Sequence, residues 1–169
     1  MVERLIENGA TLNCVNDRNL GPLNEAILIE EDSERWAMIR FLISSGVNVK
    51  NDEHLKDSHM HDAVHCGDVE LVKYLFDAGA DLDRISSDGL GPIHLAVCLL
   101  NGKKRLQMIK QLIDIGSDVN IKNTGGFTCL HWVAKQNVDR IILTRMLFEA
   151  GAEINCNDKC GTTPLALAT

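Results

Sequence analysis

One short string returns five times along this chain, and its spacing restricts the possible folds more than any other feature. LIENGATLN, LISSGVNVK, LFDAGADLD, LIDIGSDVN and LFEAGAEIN each set a glycine behind an apolar stretch: Gly9, Gly46, Gly79, Gly116 and Gly151, at intervals of 37, 33, 37 and 35 residues. A second landmark keeps the same register. GPLNEAI, SHMHDAV, GPIHLAV, TCLHWVA and TPLALAT place Pro22, His59, Pro92, Cys129 and Pro164 at those same four intervals. A period of this length means that one supersecondary unit is stacked on copies of itself, because a unit so small cannot bury its own apolar face.

Each unit reads as helix, turn, helix, stop. Pro in the first turn of a helix lacks only an N–H that would go unpaired there, and the Leu and Ala that follow face inward. A second helix carries apolar residues at helical spacing, as in Val69, Leu71, Val72, Leu75 and Phe76, and stops at a glycine suited to a left-handed cap. The segment between units, such as ADLDRISSDGL, is rich in Asp, Ser and Gly and fits a hairpin-like turn projecting sideways. The fold expected is an all-α solenoid occupying residues 1–169 as a single domain, with a partial repeat at 1–15, repeats at 16–52, 53–85, 86–122 and 123–157, and a partial repeat at 158–169. Val2 to Asn8 reads as the second helix of a unit and TTPLALAT as the opening of a first helix. Both ends lack a polar cap, so further repeats or an oligomer contact are expected to cover them.

With these landmarks in place, the chain resembles the ankyrin-repeat family. GLGPIHLAV and HCGDVELVKYLFDAGADLD follow that family's pattern of G-x-T-P-L-H-x-A-A followed by G-A-D-x-N, and the match runs over nearly the whole chain. Departures are local: Gly21 and Gly91 stand for the capping Thr, Asn19 and Lys56 for the turn glycine, His59 and Cys129 for Pro, Asn24 and Ala166 for His. The resemblance implies a non-catalytic scaffold for protein–protein interaction, binding through a concave groove of turn tips and first-helix ends. Carried onto this chain, the groove positions are Asp17, Arg18, Leu20, His54, Leu55, Asp57, Ser87, Asp88, Leu90, Thr124, Phe127 and Lys135. Leu20, Leu90 and Phe127 share one register position, interrupted by Asp57. They form either an exposed apolar stripe rimmed by acids or contacts between adjacent hairpins. A narrower resemblance, to ankyrin substrates of cytosolic asparaginyl hydroxylase, marks Asn120 and Asn155, with a hydrogen-bonding role in the hairpin as the alternative.

Composition closes off other classes. The formal net charge is -7, and its field repels phosphate backbones and anionic lipid, so neither nucleic acid nor membrane is expected as a partner. The six cysteines are scattered singly. They read as reduced, mostly buried small residues of a cytoplasmic protein with the nucleus also open to it, and Cys14 and Cys156 fall at a packed small-residue site. With aromatics at 4%, the core must be thin and filled by Leu, Ile, Val and Ala. Three units carry extra residues between their helices, the one after Val133 fewer than the other two; these segments include the acidic Glu30 to Trp36 and the basic Asn101 to Arg105, expected as solvated loops whose exposed ion pairs contribute about 0–1 kcal/mol.

The sharpest catalytic-looking string is His61-Asp62-Ala63-Val64-His65, which imitates a zinc-binding H-E-x-x-H helix. His61 holds the register of His94 and His131, Asp is shorter than the Glu base, and a third ligand is missing from the pattern. The expectation is therefore no enzyme, no metal and no cofactor. An alternative to free-standing binding is an assembly or anchoring module belonging to a larger protein whose activity lies elsewhere.

Overall fold

The computed structural model describes residues 11–50, 57–136 and 139–168. The expectations for Val2 to Asn8, Gly9, His54, Leu55 and Lys56 fall outside them. Among the described residues every regular element is a helix, in four pairs and a final single: α1 Pro22–Ile27 with α2 Asp32–Ser44, α3 His59–Cys66 with α4 Val69–Asp77, α5 Pro92–Val97 with α6 Gly102–Asp114, α7 Cys129–Ala134 with α8 Arg140–Glu149, and α9 Pro164–Leu167. Each first helix packs on its own second helix. The first helices also stack in series, α1 on α3, α3 on α5, α5 on α7 and α7 on α9, while α4 packs on α6 in the outer layer. This is the expected stack.

Local chemistry sets the boundaries. Pro22, Pro92 and Pro164 open α1, α5 and α9. Where Ser58 and Thr163 precede the helix, their hydroxyls accept from the amides of His61 and Ala166, the usual repair for unpaired N-terminal N–H groups. Where glycine stands there, the side chain three residues on takes over: the Gly91 N–H donates to His94 Nδ1 at 3.2 Å and the Gly21 N–H to Asn24 Oδ1 at 3.2 Å. The second helices end at Gly46, Gly79, Gly116 and Gly151, with φ of +88°, +96°, +98° and +91°. The next amide then turns back onto the carbonyl five residues before it, as in Ala80 N–H to Leu75 O at 2.9 Å and Ser117 N–H to Leu112 O at 2.9 Å. A side chain with a Cβ pays a steric penalty at these dihedrals, and glycine does not.

Between the two layers lies a core of Leu, Ile, Val, Met and Ala, with Leu23, Met60, Ile93, Leu112, Leu143 and Leu147 among its fully buried members. The aromatic residues Trp36, Phe41 and Tyr74 sit half-buried at its margin. Each buried aliphatic side chain contributes about 1.5–3 kcal/mol.

Two sequence expectations need correction. The extra residues of the long units do not form solvated loops. They lengthen the second helices, so that α2 and α6 run for 13 residues against 9 in α4. The added turn lifts an arginine to the N-cap of the following second helix. Arg35, 13% exposed, donates to Asp68 at 2.9 Å, and Arg105, 8% exposed, reaches Asp139 at 3.4 Å while donating twice to the Leu99 carbonyl. The cysteines are also less buried than expected. Cys129 and Cys156 are buried, Cys66 is intermediate, and Cys14, Cys98 and Cys160 are exposed. Cys14 therefore does not share the packed environment that Cys156 has, beside Thr128 and His131.

Candidate functional site

A groove-lining side chain can act only if the backbone beneath it is held, and the turn tips hold themselves. Asn16 Oδ1 accepts from the amides of Arg18 and Leu20 at 2.8 and 3.1 Å. Asn123 Oδ1 accepts from Gly125 and Phe127, both at 2.9 Å, and Asp158 Oδ1 from Cys160 and Thr162, both at 2.8 Å. A short side-chain acceptor that folds the chain over itself in this way is an Asx-type turn. The Thr162 amide, followed by that of Cys160, holds the Asp158 carboxyl below its ordinary range. Neighbouring tips are stitched together by Thr124 N–H to Gly89 O at 3.0 Å and Lys159 N–H to Gly125 O at 3.2 Å. A Cβ on Gly126 would come within 2.8 Å of the Lys159 nitrogen.

A row of imidazoles then ties three of the first helices, α3, α5 and α7, to the following turn. His61 Nε2 meets the Leu90 carbonyl at 2.8 Å, His94 Nε2 that of Phe127 at 2.9 Å, and His131 Nε2 that of Thr162 at 3.1 Å. The other ring nitrogen faces the start of its own helix, at Ser58, Gly91 and Thr128. Burial pushes the pKa of His61 and His94 below the ordinary imidazole value. His59, which instead faces the Val49 carbonyl, is pushed by burial down to about 4. Both nitrogens of His61 are thus engaged in the fold, which leaves the zinc-like string without its first ligand. Asn24 holds the same register in the first unit but is too short to span to the next turn, and its amide donates to Asp62 Oδ2 at 2.7 Å.

On this frame the sequence-predicted groove residues fall into distinct places. Asp17, Arg18, Ser87, Asp88, Thr124 and Lys135 are exposed, whereas Leu20, Asp57, Leu90 and Phe127 are half-buried. Arg18 is occupied by Glu25 at 2.6 Å. Asp57, Asp88 and Leu90 gather in one recess with Asp62, His65 and Leu95. Phe127 and Lys135 line a second recess with His131 and Trp132, where the Lys135 ammonium stands 5.0 Å above the Phe127 ring and the His131 ring meets Phe127 edge-on at 5.5 Å. Burial raises the Asp62 carboxyl to about 6 against the pull of the Asn24 amide.

Sequence reasoning passed over one register: the residue after each Asn or His of the row, namely Glu25, Asp62, Leu95 and Trp132. Its signal was available, since the spacings are again 37, 33 and 37. Read with the tip positions Leu20, Asp57, Leu90 and Phe127, it shows the groove changing character along the stack. Glu25, Asp57 and Asp62 lie on α1 and at α3, and Leu90, Leu95, Phe127 and Trp132 at α5 and α7.

Asn120 is built into the turn framework, donating to the Gly151 carbonyl at 3.0 Å and accepting from the Glu153 amide at 2.8 Å. Asn155 is exposed. Among the described residues there is no group of three or more His, Cys, Asp or Glu arranged to hold a metal ion, and no helix is long and apolar enough to cross a membrane.

Comparison with known families agrees with this architecture. A family described as ankyrin repeats in three copies matches residues 1–86 and 93–169, and a second, of ankyrin repeats in many copies, matches residues 60–113. Among curated proteins, the palmitoyltransferase AKR1 of Lachancea kluyveri is 28% identical across 99% of this chain and 22% of its own length. The NF-kappa-B p105 subunit of Gallus gallus is 29% identical across 93% of this chain and 16% of its own. The regulatory protein NPR1 of Arabidopsis thaliana is 33% identical across 66% of this chain and 17% of its own. The chain therefore spans about a fifth of the length of these relatives.

Proposed function

Since this chain belongs to the ankyrin-repeat family, we propose that it is a non-catalytic scaffold that captures an extended segment of a protein partner along the groove of turn tips and first helices. The observation that carries this is the change of groove character just described. A recess carrying the carboxylates of Asp57 and Asp62 beside Leu90 and Leu95 selects a basic side chain, and the neighbouring recess of Phe127 and Trp132 takes a large apolar one. Charge complementarity sets register and rate of encounter, while buried aromatic and leucine contacts supply most of the affinity. The partner is thus a segment with Lys or Arg at one end and a bulky apolar anchor at the other. The site of action in this proposal is the cytoplasm, with the nucleus also open to it.

The test is an array of immobilised peptides that vary basic and apolar residues independently. Binders should carry both features in one order, and Leu90→Ser with Phe127→Ser should weaken them at least about tenfold, an effect of about 1.4 kcal/mol, without a change in helical content. Binders indifferent to both features, or to both substitutions, would refute the proposal.

The one-fifth coverage of the relatives favours a second reading, an assembly module within a larger protein whose activity lies elsewhere; in that case this chain would bind its segment unaided but show no turnover. Asn120 and Asn155 are proposed hydroxylation positions, and exposure favours Asn155. Intact-mass measurement after incubation with an asparaginyl hydroxylase should add one oxygen there first; addition at Asn120 with Asn155 untouched would reverse that order.

A further inference from the structure

The turns that join first helix to second run along one edge of the stack, since the first helices pack in series and each packs on its own second helix. Two of these turns are long, residues 28–31 before α2 and 98–101 before α6, and the two-residue turn Gly67–Asp68 lies between them. The long turns open onto opposite charges. At the start of α2, Glu31 takes the Ser33 hydroxyl and Asp32 pairs with Arg35 at 2.6 Å, but Glu30 and Glu34 are exposed. At the start of α6, Lys103 and Lys104 are exposed and, with Arg105, form the one run of three basic residues in the sequence. Among the described residues none of Glu30, Glu34, Lys103 and Lys104 has an ion-pair partner. Between the two charged starts the short turn leaves a polar recess of about 400 Å³, lined by Asp32 on one side and Lys104 on the other.

Two further features mark the basic turn as a contact. Lys103 and Lys104 stand in the first turn of α6, where the helix dipole disfavours cations, whereas α2 has Asp32 and Glu34 there. Local helix stability therefore does not account for the lysines. The turn before them is also rigid: Arg105 donates to the Leu99 carbonyl from Nε at 2.9 Å and Nη2 at 2.6 Å, and Asn101 Oδ1 accepts from the Lys104 amide at 3.1 Å. This frame holds Leu100 outside the fold, 99% exposed. An apolar side chain held in place in this way loses little freedom when it is covered.

We infer that this edge binds a second copy of the chain about a two-fold axis at the Gly67–Asp68 turn, with the start of α2 in one copy facing the start of α6 in the other. Acid at one end of the edge and base at the other make it self-complementary. Each contact sets Glu30 and Glu34 against Lys103 and Lys104 and covers Leu100, and the two-fold repeats it, so the assembly closes as a dimer. A net charge of -7 on each chain opposes encounter, so pairing depends on these local complements. The turn tips take no part, and the inference does not depend on the groove proposal.

The test is sedimentation velocity of the 169-residue chain across a concentration series, with two charge-reversed variants. Lys103→Glu with Lys104→Glu makes both turns acidic, and Glu30→Lys with Glu34→Lys makes both basic. Each should weaken self-association at least about tenfold, the second even though it lowers the net charge. An equimolar mixture of the two variants should recover a dimer, because every contact in the mixed pair is complementary again. Leu100→Ser should weaken the parent dimer at least about tenfold as well. Acids at the start of α6 suit its dipole, so the lysine reversal should not lower Tm, which separates loss of contact from loss of fold. A chain that stays monomeric up to about 1 mM, a dimer that survives both reversals, or a mixture that fails to associate would overturn the inference.

Discussion

The face that α5 and α6 turn towards the next unit and the corresponding face of α8 and α9 share a sequence register, yet they illustrate opposite states of the same surface. In the first, Ile93, Ile109 and Leu112 are wholly buried, His94 spans to the Phe127 carbonyl, and Arg105 is held against Leu99 and Asp139. In the second, Leu165, Ile141 and Phe148 are open and Ala166 cannot span. The lesson is that burial here belongs to the joint between units, so the same residue type at the same position carries stability only where a neighbour lies beyond it.

That contrast is broken most directly at the first-helix leucine register. Ile93→Ala should destabilise by about 2–5 kcal/mol, since it opens a cavity between α5 and its neighbours, whereas Leu165→Ala should stay within about 0.5 kcal/mol. Equal losses in denaturant titrations of the two variants would mean that α9 is packed as tightly as α5.

The histidine row gives the next largest expected effect. His94→Ala strands the Gly91 amide and removes the donor that meets the Phe127 carbonyl, at a cost of about 1–3 kcal/mol. Among the described residues no turn lies beyond α9, so in this 169-residue chain Ala166→His should leave stability nearly unchanged. A stabilised Ala166→His chain would show that the imidazole acts within its own unit and not across the joint.

Acid sharpens the same comparison from the side of charge. With its folded pKa at about 4, His59 stays neutral where the unfolded chain takes up a proton, so stability that is full above the ordinary value of 6.5 is lost as pH falls towards 4. His61 and His94 are shifted in the same direction. Asp62 opposes them: raised from 3.8 to about 6, it holds a proton that the unfolded chain releases, and so adds stability as pH falls through that window. Three imidazoles against one carboxyl leave a net loss of stability as pH falls from 6.5 towards 4. Asp62→Asn keeps an acceptor for the Asn24 amide and removes the buried charge; it should stabilise the chain at neutral pH by about 1 kcal/mol. A pH-independent Tm across this range, or a destabilised Asp62→Asn, would show that these groups are better solvated than their burial implies.

Much of this was legible beforehand, for identifiable reasons. Glycines at Gly46, Gly79, Gly116 and Gly151 are demanded by a left-handed backbone, and Pro22, Pro92 and Pro164 by a helix start, so local sterics write them into the chain. The tip positions Leu20, Leu90 and Phe127 followed from register, although their half-burial did not. The lengthened α2 and α6 were misjudged because charged residues such as Glu34 and Lys104 suit a solvated loop and an exposed helical turn equally well. The cysteines were misjudged for a related reason: Cys14 and Cys156 occupy one register, but Cys156 is covered by Thr128 and His131 of α7 whereas Cys14 is exposed.

The sequence alone determined the repeat, the helical pairing within each unit, the turn chemistry and the row of histidines, because all of these depend on contacts within one unit or on its strict recurrence. Which arginine meets which aspartate, which recess is acidic and which aromatic, and which apolar face stays open were decided only by the tertiary structure. Those properties arise between units, where side chains some 35 residues apart are brought together and a period by itself carries no record of what stands on the other side.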